Sequence, residues 1–176
     1  MSNFKEETEN KIKEKIQQFL LEMPDYVKSY ILSIAGSTSA NTRIEYLRDI
    51  RRFFIYIEQN YTCSAVNTFK DITPYILENL DTDFLNSYFY IYLETYRENG
   101  EIRSNEKVSV CRKLSSIRNL YAYLYLNDII KNNPMVKIKA PKTKNKEIVF
   151  MSDEETRDFL KTVKNGNQNP TQMQNV

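Results

Sequence analysis

The chain has 176 residues, a net charge of +2, no histidine, no tryptophan, and only 3 glycines and 5 prolines. That length suits one sizeable domain, or a domain with a tail, and the scarcity of breakers favours helices throughout. Without histidine, Ser-His-Asp and Cys-His catalysis are excluded, and the 2 cysteines, Cys63 and Cys111, are too few and too far apart for a zinc site.

In chain order, the opening MSNFKEETEN has neither a basic start nor an apolar stretch, so no signal peptide is expected. Ile12, Ile16, Phe19, Leu20 and Met23 recur at helical spacing and predict an amphipathic helix over 5–23. Pro24 ends it and starts a second helix over 25–35, with Gly36 as its stop. Ser37, Thr38 and Ser39 offer N-caps for a long helix reaching about Gln59. Segment 60–70 is polar and reads as a loop. Thr73 caps a short helix over 74–79. Asp81 or Thr82 opens another, with Leu85, Tyr88, Phe89, Tyr92, Leu93 and Tyr96 on one face and Gly100 as its stop. A further helix starts near Lys107 or Ser109 and ends near Asn127. Asn132-Asn133-Pro134 marks a boundary, and 135–147 is a linker with lysines at 137, 139, 142, 144 and 146. Ile148-Val149-Phe150 is a short apolar run. Ser152 and Glu155 form a capping box that opens a helix through about Val163. The remainder is polar and without period. The longest apolar run, 120–126, is far too short to span a bilayer, so a cytoplasmic protein is expected.

The near-neutral total hides an uneven distribution. Residues 103–146 carry 11 Lys/Arg and 2 Asp/Glu, a local balance of +9, against −7 for the rest. Such asymmetry points either to an anionic partner or to a solvated lysine-rich surface.

Two helices have faces that discriminate between these. At 100° per residue, Ile44, Leu47, Ile50, Phe54 and Ile57 share one side of the helix over 40–59. Asn41, Glu45, Arg48, Asp49 and Arg52 share the other, with Thr42 at its edge. That polar side is either an ordinary solvated face with i,i+3 and i,i+4 pairs or a face laid across a DNA groove. On the helix over 109–127, Val110, Leu114, Ile117, Leu120, Tyr121 and Leu124 make a core stripe. Arg112, Ser115, Ser116, Asn119 and Tyr123 face away, with Lys113 and Arg118 on the flanks. No acidic residue occurs from Ser109 to Asn127, and small serines leave room for a phosphate backbone. This favours double-stranded DNA as the partner. Tyr123 and Tyr125 as stacking groups for single strands or RNA form a weaker reading. Lys137, Lys139 and Lys142 would add phosphate contacts without sequence reading. There is no Gly-rich phosphate loop, no HExxH and no EF-hand pattern, so neither a cofactor nor a metal is expected.

The ordering of these pieces resembles the tyrosine recombinases, the phage-integrase family, and within it the Xer type. STSANTRIEYLRDIRRFFIYI (37–57) resembles the S-x-x-T-x-x-x-Y-x-x-D-x-x-x-F-x-x-[YW] stretch near their start. SVCRKLSSIRNLYAYL (109–124) resembles S-x-x-R-x-L-S-x-[LI]-R-x-[FL]-[YF]-x-Y-L, NNPMVKIKAPK (132–142) the exit into the interdomain linker, and IVFMSDEETRDFL (148–160) the opening of the catalytic domain, with Met151 in the usual Leu place. The resemblance implies an all-α, SAM-like bundle of four to five helices with an extra N-terminal helix and a basic C-terminal linker. Segment 1–36 is then an N-terminal extension, 37–134 the core-binding domain, 135–147 the linker, and 148–176 the start of a truncated catalytic domain plus a polar tail. It also implies a clamp on duplex DNA at a recombination site, with other recombinase subunits on paired sites.

Carried over position by position, Asn41, Thr42, Glu45, Arg48 and Arg52 fall on the first DNA-facing helix and Ser109, Arg112, Ser116 and Asn119 on the second; Arg43, Lys107, Lys113 and Arg118 on the same helices and Lys137, Lys139 and Lys142 of the linker complete the expected DNA-binding set. Glu45 departs from a simple phosphate-binding face: it accepts from a cytosine amino group or pairs with a neighbouring arginine. The family's catalytic residues, which include a His-x-x-Arg motif and a nucleophilic Tyr, have no counterpart here, so the chain is read as non-catalytic. The alternative is a helical interaction module that pairs with a full-length recombinase.

Overall fold

The computed structural model describes residues 2–61, 66–98, 100–143 and 152–165. They divide into two compact units, 1–143 and 144–176. In the first, helix α1 (Ser2–Glu22) is followed by α2 (Asp25–Ser33), α3 (Ala40–Asn60), a 3-10 turn at Phe69–Asp71, α4 (Pro74–Glu78) and α5 (Thr82–Ser87). A π-helical turn (Tyr88–Tyr92), a hairpin of β1 (Thr95–Glu98) and β2 (Glu101–Ser104), α6 (Lys107–Leu126) and a 3-10 turn (Pro134–Lys137) complete it. The all-α expectation holds, with the small hairpin as the one addition among the described residues.

The helix starts follow from local chemistry. Ser39 Oγ accepts from the Thr42 N–H at 3.1 Å, Thr73 Oγ1 from Ile76 at 3.3 Å, and an Asp81 carboxylate oxygen from Phe84 at 2.6 Å. Each satisfies a backbone donor that the first turn leaves open, worth about 1 kcal/mol. Asp71, just past the segment read as a loop, reaches back in a capping box: its carboxylate accepts from the N–H groups of Asn67 and Thr68. The α6 terminus is a Schellman motif. Asp128 takes φ 55°, the Ile129 N–H reaches the Leu124 carbonyl at 2.9 Å, and the Asp128 N–H reaches Tyr125 at 3.2 Å.

The core lies between α3 and α6. All five apolar residues expected on the inner side of α3 are buried, joined by Phe53, and so are the six expected on α6. Each fully buried Leu, Ile or Phe contributes about 1.5–3 kcal/mol. The α1 helix packs along α3, and α2 packs against α6. Two phenols, the buried Tyr121 and the half-buried Tyr26, tie the remaining elements in: Tyr121 donates to the Leu77 carbonyl at 3.0 Å and Tyr26 to that of Ile72 at 2.7 Å.

The helix expected from 81 towards Gly100 is corrected. The α-helical hydrogen-bond pattern gives way after Ser87 to one wide turn, in which the Leu93 N–H reaches the Tyr88 carbonyl at 3.0 Å. The chain then enters the hairpin, with Glu98 opposite Glu101. Gly100, at φ +82°, serves this two-residue turn and not a helix end. Of the expected apolar face, Leu85, Tyr88, Phe89, Leu93 and Tyr96 are buried and Tyr92 is half-buried.

The first part of the segment expected to be a linker packs with the first unit. Met135 and Ile138 are buried in the core cluster. Arg118 donates to the Ile138 carbonyl, Tyr90 OH to that of Lys139, and the Cys111 thiol approaches that of Pro141 at 3.5 Å. Lys137, Lys139 and Lys142 remain exposed.

In the second unit, α7 (Asp153–Asn165) begins with the expected capping box. Glu155 accepts from the Ser152 N–H at 2.8 Å, and Ser152 Oγ accepts from the Glu155 N–H at 3.2 Å. Its Phe159, Leu160 and Val163 are exposed. The apolar run Ile148-Val149-Phe150 lies outside the described residues, as does Cys63.

Candidate nucleic-acid interface

The polar sides of α3 and α6 meet along a seam, and Asp49 forms its floor. Its side chain is only 3% exposed. One carboxylate oxygen accepts from Ser116 Oγ at 2.7 Å and from one terminal nitrogen of Arg112 at 3.1 Å; the other accepts from the second terminal nitrogen of Arg112 at 3.3 Å. The Lys113 ammonium stands 3.7 Å from the same carboxylate. Arg112 is thus gripped by two nitrogens, a geometry that a point-charge lysine cannot reproduce. Above the floor, the half-buried Glu45 pairs with Arg48 on one oxygen and lies 3.7 Å from Arg112 on the other. Farther along the seam, the Asn119 amide donates to Tyr46 OH at 3.3 Å. Arg52 places its guanidinium 4.2 Å from the centroid of the Tyr96 ring.

Burial dominates the electrostatics. It pushes the Asp49 carboxyl above its usual range; the Ser116 hydrogen bond and the charges of Arg112 and Lys113 pull the other way without overcoming it. Burial likewise holds Lys113 below the usual lysine value, opposed by Asp49.

The structure sorts the sequence-derived set into three groups. Asn41, Arg48, Arg112, Asn119, Lys107, Lys137, Lys139 and Lys142 are exposed, and Thr42, Glu45, Arg52 and Ser109 are half-buried. Four others have partners within the protein. Ser116 is fully buried and Lys113 is 8% exposed, because both turn into the seam towards Asp49. Arg43 donates to the carbonyls of Ala35 and Thr38, each at 2.8 Å, and so closes the α2–α3 connection. Arg118 holds the linker backbone. Asp49, placed by the helical wheel on the solvent side, is 2% exposed. Sequence reasoning missed its role as the anchor of the seam.

No group of three His, Cys, Asp or Glu side chains among the described residues is placed to hold a metal ion. No helix among them is long and apolar enough to cross a membrane.

Residues 27–127 match the family model for the phage integrase N-terminal SAM-like domain. The chain is 26% identical over 152 residues to tyrosine recombinase XerC of Staphylococcus saprophyticus, covering 86% of this chain and 42% of that protein. It is 25% identical over 123 residues to the XerC of Syntrophus aciditrophicus, covering 69% and 36%. It is 34% identical over 107 residues to tyrosine recombinase XerS of Lactococcus lactis subsp. lactis, covering 58% and 29%. The chain therefore spans less than half the length of these curated relatives. No solved structure matches it. The matched region contains α3, α6 and the whole seam between them, and on that match the chain belongs to the phage integrase family, as a tyrosine recombinase core-binding domain.

Proposed function

We propose that this chain binds double-stranded DNA and serves site-specific recombination, with the α3–α6 seam as its DNA face and with the strand-cleaving chemistry supplied elsewhere in a recombinase. The observation that carries this is the grip on Arg112: a cation held in place by a buried carboxylate, with 45% of its side chain still open to solvent. A surface arginine without such a partner would lose side-chain entropy on meeting a phosphate; one already held loses less. Arg48 and Arg52 lie on the neighbouring helix, Asn41 and Thr42 at its start, and Lys107 and Ser109 at the start of α6. Together they offer charge for phosphates and amide and hydroxyl groups for base edges. The lysines at 137, 139 and 142 extend the positive surface onto the linker. Other recombinase subunits, bound on paired sites, are the expected protein partners.

The test is anisotropy of a labelled duplex titrated with the full chain at several salt concentrations. Binding should weaken with a log–log slope of about −0.9 for each phosphate neutralised. Arg48→Glu and Arg112→Gln should each flatten that slope and lower affinity, with the circular dichroism unchanged. Binding by wild type that both variants retain in full would remove the seam from the DNA face. A partner recombinase captured equally well by wild type and both variants, with no duplex bound, would favour the interaction-module reading.

A further inference from the structure

Two carboxylates one helical turn apart, Glu45 and Asp49, meet the same guanidinium in different surroundings. Asp49 lies at the sealed end, where no phosphate can reach it. Glu45 lies at the open end, with 42% of its side chain exposed. Its two oxygens address two different arginines, Arg48 and Arg112, whose side chains are 50% and 45% exposed. A carboxylate between two guanidinium groups presents the same kind of paired, negatively charged oxygens as a DNA phosphate.

We propose that Glu45 is a specificity-determining residue that occupies, in the free protein, the place a DNA phosphate takes between Arg48 and Arg112. This rests on the DNA-binding reading above. A duplex that engages the two arginines must displace the Glu45 carboxylate or accept it beside a phosphate. Where the base that faces it is T or G, the displaced carboxylate meets acceptors or a methyl group, and its charge opposes binding. Where that base is C or A, the N4 or N6 amino group donates to the carboxylate and the opposition is offset. One side chain thus weakens binding to sequences with T or G at one position and spares those with C or A there. Asp49 has the opposite role, because it stays bound to Arg112 and Ser116 whether or not DNA is present.

The experiment compares wild type with Glu45→Gln, using the full chain and two probes: a random-sequence duplex, and a duplex pool enriched by wild type from random sequence. Glutamine keeps the shape and removes the charge. A unit charge about 4 Å from a phosphate in high dielectric changes affinity about fivefold, so the variant should bind random duplex, in which T or G takes that position about half the time, up to about fivefold tighter at low salt. Its salt slope should steepen by up to about 1.8, the equivalent of two further phosphates. Pools enriched by the variant should lose a preference for C or A that wild-type pools show at one position. If wild type binds duplex and the variant binds random duplex no more tightly, the role assigned to Glu45 is overturned while the DNA reading stands. If wild type binds neither probe even at low salt, the DNA reading falls and the role of Glu45 falls with it.

Discussion

Replacing Asp49 by asparagine separates what the seam does for stability from what it does for geometry. Breaking a buried ion pair by removing one partner commonly costs about 3–5 kcal/mol. Here the terms point elsewhere. The Arg112 side chain is 45% exposed, so solvent screens its pair with Asp49 to about 1 kcal/mol or less. Lys113 is the better-buried partner at 3.7 Å, with a gross attraction of about 4 kcal/mol at an effective dielectric of 20. Against that stands a desolvation cost of several kcal/mol for each of the two ions, and the raised Asp49 and lowered Lys113 pKa values both say that desolvation wins. Asparagine preserves the shape and can still accept from Ser116. Asp49→Asn should therefore leave unfolding free energy at pH 7 unchanged or raise it by up to about 1 kcal/mol, a shift of about 3–4 °C in a domain of this size. The pH dependence fixes the sign. A folded-state pKa above the ordinary 3.8 means that the stability contributed by Asp49 is fully present below that value and is lost as pH rises through the folded pKa. Wild type should thus compare better with the variant near pH 4 than at pH 7. Urea unfolding at both pH values, with the m-value checked for constancy, measures this. A loss of 3 kcal/mol or more at pH 7 would refute the reasoning and show that ionic attraction holds the seam together. Duplex affinity of the same protein should fall severalfold as Arg112 loses its grip.

Two other outcomes are expected. Gly100→Ala places a side chain at φ +82° with nothing within 4 Å of the new Cβ; it should destabilise by about 1–2 kcal/mol through the backbone alone, and a thermal melt checks it. Arg118→Met combined with Tyr90→Phe removes two donors to linker carbonyls; amide exchange over 138–143 should accelerate at least tenfold while that of α3 stays unchanged.

The long elements were legible because they are long. Over 21 residues in α3 and 20 in α6, apolar spacing leaves little room for another reading. Tertiary pairing was not legible. A helical wheel treats each helix in isolation, so it placed Asp49 and Ser116 on the side away from the core and Lys113 on a flank; only the packing of α6 on α3 turns them inward. The partners of Arg43 and Arg118 were not legible for a related reason. Their long side chains reach backbone carbonyls outside their own helices, which no pattern within one helix records. The hairpin was an avoidable miss. Asn99-Gly100, flanked by Thr95, Tyr96 and Ile102, carries the sequence signal of a two-residue turn, and reading Gly100 as a helix stop overlooked the residue before it.

The docking of the linker on the domain changes the kind of charge its lysines represent. On a free tether, ammonium groups explore a large volume and resemble a diffuse cloud of mobile cations. Between Met135 and Ile138, which are sunk in the core, and again at Lys139, whose carbonyl is held by Tyr90, the backbone is fixed when the domain folds. Lys137 and Lys139 are therefore preorganised: the backbone ordering that a flexible strip would undergo on meeting a polyanion has already taken place during folding.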